Sequence, residues 1–118
     1  PQRQVRLDEV MRNVGTIEAA ILRAEEMARQ SNSAGAWESV EKAAHDFPED
    51  TKLNQIRADL SSKAADFVRT IRNAQELEKK EQVGSSLAWF LKARKIYPAS
   101  EFANEGIERL KKRVLPES

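Results

Sequence analysis

The chain has 118 residues, of which 40% are hydrophobic and 33% charged, with a net charge of +1 and no cysteine. That balance suits a folded helical domain better than a disordered chain, and near-neutrality gives no global pull towards nucleic acid. Disulfides and thiolate chemistry are excluded, no apolar run reaches the roughly 20 residues of a membrane helix, and no secretory leader is visible.

Pro1 stands where an initiator methionine would, so the chain reads as part of a longer protein. Residues 1–60 carry 8 basic and 11 acidic groups, and residues 61–118 carry 12 and 8. Ordinary variation accounts for such a split. A sharper reading is a dipolar module that stacks head to tail with its neighbours.

Helix formers dominate and strand alternation is absent, so the elements are read as helices. Leu7, Val10, Val14, Ile17, Ile21, Ala24 and Met27 recur at steps of three and four residues, which predicts a first helix with one buried stripe. Gly15 interrupts it at a cost of about 1 kcal/mol. Turn and cap residues at 31–35 end it. A second helix follows over 34–45, with Trp37, Val40, Ala43 and Ala44 inward. Pro48 lacks a donor and disfavours helix at Phe47, which stops it.

From 50 to 81 there is neither Gly nor Pro. The stripe Leu53, Ile56, Leu60, Ala64, Phe67, Ile71, Ala74 and Leu77 predicts one unbroken helix, roughly 45 Å long. A turn near Gly84 leads into a helix over 84–96 carrying Leu87, Phe90, Leu91 and Ala93, and Tyr97-Pro98 ends it. Ser100 caps a last helix over 101–114, with Phe102, Ile107, Leu110 and Val114 inward and Pro116 closing it. The expectation is an all-α fold of about five helices, two of them long.

A shift of 50 residues aligns Ile21 with Ile71, Ala24 with Ala74, Glu26 with Glu76 and Lys42 with Lys92. It also aligns Ala43 with Ala93, Pro48 with Pro98, Asn54 with Asn104 and Leu60 with Leu110. Phe47 then pairs with Tyr97, Val40 with Phe90 and Met27 with Leu77. Agreement at both turns and both helix ends marks an internal repeat, in which each helical hairpin buries a face on the next. The aromatic residues before the two prolines are expected to pack against the unit that follows.

These residues resemble the tetratricopeptide repeat family, over roughly 17–48 and 67–98. Ala24, Ala36 and Ala43 match its small positions, Met27 and Val40 its large ones, and Pro48 its closing proline. In the second unit Ala74, Ser86 and Ala93, then Leu77 and Phe90, then Pro98 take those places. Small residues at a crossing let helices approach to about 8–10 Å. The tryptophan and glycine of the family's first helix are missing. The 50-residue period exceeds the family's usual length of about 34, which leaves both a compact array and an open solenoid as possible architectures. The expected organisation is one helical-repeat domain over 1–118, with unit 1 about 3–48, unit 2 about 50–98 and a terminal helix about 101–114.

Chemistry is sparse. His45 is the one histidine, and with no cysteine a metal site lacks partners. Pairs such as Glu25-Glu26 and Glu49-Asp50 read as surface charges or caps. Nothing resembles an oriented nucleophile or a phosphate loop. No enzyme activity, cofactor or metal is expected.

The resemblance implies a non-catalytic protein–protein interaction module. By it, a peptide partner would meet Glu18, Ile21, Glu25 and Arg29 of unit 1 and Val68, Ile71, Gln75 and Lys79 of unit 2. Arg72 and Asn73 are only fragments of the family's carboxylate clamp. Trp89, which has no aromatic counterpart at Ser39, is a further candidate for a surface contact; Trp37 reads as core. The competing reading is a structural segment that self-associates within a larger protein, such as a bacterial envelope or secretion component. Nucleic-acid binding through Arg109, Lys111, Lys112 and Arg113 ranks behind both, because cations also complement a helix C-terminus.

Overall fold

The computed structural model describes residues 2–114, with side chains from Met11 onward. Six α-helices follow one another: α1 (Gln2–Arg29), α2 (Ser33–Asp46), α3 (Thr51–Lys63), α4 (Ala65–Lys79), α5 (Val83–Ile96) and α6 (Glu101–Val114). No strand occurs among the described residues. Helices adjacent in sequence pack as antiparallel hairpins, α1 on α2, α4 on α5 and α5 on α6. The chain divides into two compact units, Pro1–Leu60 and Ser61–Ser118.

The count is six helices rather than five. The stretch read as one helix over 50–81 is two, α3 and α4, broken at Ala64 (φ −118°, ψ 37°). Alanine is the strongest helix former, so no propensity signal marks the break. Ala64 and Phe67 are buried there, and packing outweighs intrinsic preference. The backbone N–H of Val68 still donates to the Ala64 carbonyl at 3.0 Å, which starts α4. Only α1, at 28 residues, is long.

The 50-residue repeat is visible in backbone detail. Helix α1 ends with Ser31 at φ 62° and α4 with Glu81 at φ 60°, both left-handed without being glycine. At the first turn Ser31 N–H donates to the Ala28 carbonyl (3.0 Å) and Asn32 N–H to the Met27 carbonyl (2.8 Å). At the second, Glu81 N–H donates to Glu78 (3.0 Å) and Gln82 N–H to Leu77 (2.9 Å). Each turn is a Schellman motif, which satisfies carbonyls the helix would leave bare.

The next junctions also match. Asp50 Oδ1 accepts from Leu53 N–H at 2.8 Å, and Ser100 Oγ accepts from Ala103 N–H at 3.0 Å. Asn54 Nδ2 donates to the Pro48 carbonyl (2.9 Å), and Asn104 Nδ2 donates to that of Pro98 (3.1 Å). The asparagine aligned in the two units thus performs the same task in both: it ties the proline turn to the helix that follows.

The small residues predicted at the hairpin crossings are all buried: Ala24, Ala36 and Ala43 in the first unit, Ala74, Ser86 and Ala93 in the second. Ser86 is the polar one, and its Oγ donates to the Ala74 carbonyl at 2.7 Å, so burial leaves no hydroxyl unsatisfied. Trp37, Val40, Leu53 and Ile21 fill the first core, and Phe67, Ile71, Phe90 and Leu110 the second.

Some stripe positions fall outside these cores. Val14, Leu91 and Val114, read as inward, are exposed, because a stripe only about 100° wide tolerates little drift before a residue leaves the contact. Leu7, Val10 and Pro116 lie outside the described side chains. Tyr97 does not face a following unit. Its ring meets Phe67 of α4 edge-on, with centroids 5.8 Å apart and planes at 80°, inside its own unit.

Candidate protein-interaction surfaces

Helix α1 presents one face that α2 does not cover. Met11, Gly15, Glu18, Leu22, Glu25 and Arg29 follow at alternating steps of four and three residues and so lie in one row. Leu22 is 65% exposed and Met11 64%, as much as the charged residues between them. Isolated exposed leucines are common. Two large apolar side chains in a row with two carboxylates make a patterned surface instead.

Three of the nine residues proposed from the sequence lie elsewhere. Ile21, Val68 and Ile71 are buried core residues with no surface to offer a partner. Glu18, Glu25 and Arg29 are exposed together on α1, and Gln75 and Lys79 are exposed on α4. Each group lies on its own helix in its own unit. Sequence reading passed over Met11 and Leu22, although their spacing to Glu18 and Glu25 was the available signal.

Arg29 is held on this face by Glu26, to whose Oε2 both Nε and Nη2 donate. That hydrogen bond, then the Arg29 charge, pulls the Glu26 carboxyl below its ordinary range, and Glu26 raises Arg29 in turn. The repeat keeps a charge pair here in another register, with Lys80 Nζ 3.8 Å from Glu76.

Trp89 is half-buried, and Lys92 Nζ stands 4.5 Å from its ring centroid in a cation–π contact. Lys92 thus covers one ring face. At the basic end of α6, Arg109 Nε and Nη2 donate to the two oxygens of Glu78 at 3.0 and 2.9 Å. The Arg109 bond is the largest influence holding Glu78 below the usual carboxylate range, with the charges of Arg109 and Arg113 adding to it. One of the four basic residues there is therefore engaged within its own unit. Lys111 lies 3.9 Å from Glu108.

The first unit also has an open depression of about 370 Å³, formed by Asn13, Val14 and Ile17 of α1 and by Phe47, Pro48, Glu49 and Asp50 between α2 and α3. Its floor is apolar and its rim acidic.

Among the described residues no group of three or more His, Cys, Asp or Glu could hold a metal ion, and no helix is long and apolar enough to cross a membrane. The fold defines an all-α protein of sequential antiparallel helices. No protein-family model, curated protein or solved structure matches the chain.

Proposed function

We propose that the chain is a non-catalytic protein–protein interaction module of the tetratricopeptide-repeat type, whose partner lies along the exposed row of α1. The observation that carries this reading is Leu22, 65% exposed between Glu18 and Glu25. An apolar side chain ringed by charges is the usual form of an interface anchor, since burial supplies affinity and the charges select the partner. The duplicated hairpin, with matching caps and small-residue crossings, supports the family comparison. A rigid helix face also loses little entropy when it is covered.

A benzophenone side chain placed at position 22 tests this in cells, with position 59 as control. One discrete crosslinked product at 22, lost on Arg29→Glu, is expected. The same products from both positions would remove the proposal. The second reading is self-association as a structural segment, favoured by the opposite charge of the two halves.

A further inference from the structure

We infer that the depression on the first unit receives the basic C-terminal end of α6 from a second copy of this chain. The inference rests on the self-association reading and not on the α1 face.

The repeat itself shows what this depression lacks. Fifty residues on, Ile17 becomes Phe67, Phe47 becomes Tyr97, and Glu49 and Asp50 become Ala99 and Ser100. In the second unit the Phe67 ring is 1% exposed and closes onto Tyr97. In the first unit the smaller Ile17 leaves both itself and Phe47 half-buried beside open space. The same structural position is therefore filled from within in one unit and vacant in the other. It is also carboxylate-rimmed only where it is vacant.

The occupant must supply apolar bulk for Ile17 and Phe47 and positive charge for Glu49 and Asp50. The end of α6 carries both, with Lys111, Lys112 and Arg113 exposed in succession and exposed Val114 following them. The charges of the halves, −3 over residues 1–60 and +4 over 61–118, steer the first unit of one copy towards the second unit of another. Such a contact joins two different surfaces, so each added copy brings a new depression and a new basic end.

Light scattering of the full chain across a wide concentration range, at low and at high salt, tests this. The average mass is expected to climb continuously with concentration and to fall with salt. Ile17→Phe, which fills the depression as Phe67 does, should weaken association roughly tenfold while circular dichroism stays helical. Glu49→Lys and Lys112→Glu should each weaken it by a similar factor of about ten, and the two together should restore it, as expected for one charge pair. A monomer throughout would overturn both this proposal and the self-association reading. Assembly indifferent to Ile17→Phe and Glu49→Lys would overturn the proposed site alone.

Discussion

A Cβ on Gly106 would lie 2.7 Å from Cε1 and Cζ of Phe90, so the ring occupies the space that a side chain at 106 would need. In the first unit the corresponding residues are Val40 and Ile56. The two units thus solve one packing problem in opposite ways. One has a small residue on the second helix and a large one on the third, and the other has the reverse.

This exchange sets the first prediction. Gly106→Ala should destabilise the protein by about 1–3 kcal/mol, although alanine gains about 1 kcal/mol over glycine as a helix former. Phe90 is fully buried and cannot swing away. Phe90→Val combined with Gly106→Ile copies the first unit and should lose much less than the two single changes added together. Urea unfolding of the four proteins gives the coupling directly, and additive losses would show that the ring and the glycine are not one packing unit.

The left-handed turn residues give a second. Ser31 and Glu81 hold φ near +60°, where an L side chain crowds its own backbone and glycine does not. Ser31→Gly and Glu81→Gly should each stabilise by roughly 0.5–1 kcal/mol. Alanine should give no such gain. Thermal midpoints measured side by side separate relief at the turn from a general effect of shortening the side chain.

A third concerns helix starts. Asn32 Oδ1 accepts from Gly35 N–H at 2.9 Å and caps α2, whereas Gln82, at the same place before α5, makes no side-chain cap bond. Gln82→Asn should therefore stabilise the second unit by about 0.5–1 kcal/mol, and Asn32→Ala should cost the first about 1 kcal/mol. Hydrogen exchange at the first turn of α5 would slow in the former variant and be unchanged if no cap forms.

Acid stability should show the Glu78–Arg109 pair. The folded state holds Glu78 below its ordinary range, chiefly through Arg109. The pair's contribution is therefore complete above about pH 4.3, the unperturbed glutamate value, and is lost as pH falls through the lower folded value. Both groups are substantially exposed, so that contribution is only about 0.2–1 kcal/mol. Glu78→Gln should lower stability at pH 7 by that amount and converge with the parent at low pH. A constant gap across the range would assign the loss to packing instead.

Much of the architecture was legible in the sequence because its signals are local. The period, the proline stops at Pro48 and Pro98, the Ser100 cap and the small crossings all depend on residues near one another. Ala64 was not legible: a break at the best helix former has its cause in burial, which propensity does not encode. Nor was the Phe67–Tyr97 contact, since periodicity gives the face of a ring but not its neighbour. The candidate surface divided in the same way. Glu18, Glu25 and Arg29 are exposed as read, while Ile21 and Ile71 occupy register positions that each hairpin needs for its core.

The packed helix pairs are neighbours in the chain, joined by turns of only a few residues. Closing such short loops costs little entropy, so assembly can begin in either hairpin and proceed quickly. During synthesis, α1 and α2 can come together while the second unit is still inside the ribosome. The order in which the chain is made is then also an order in which it can fold, and a newly made first unit spends little time with its apolar stripe open to other proteins.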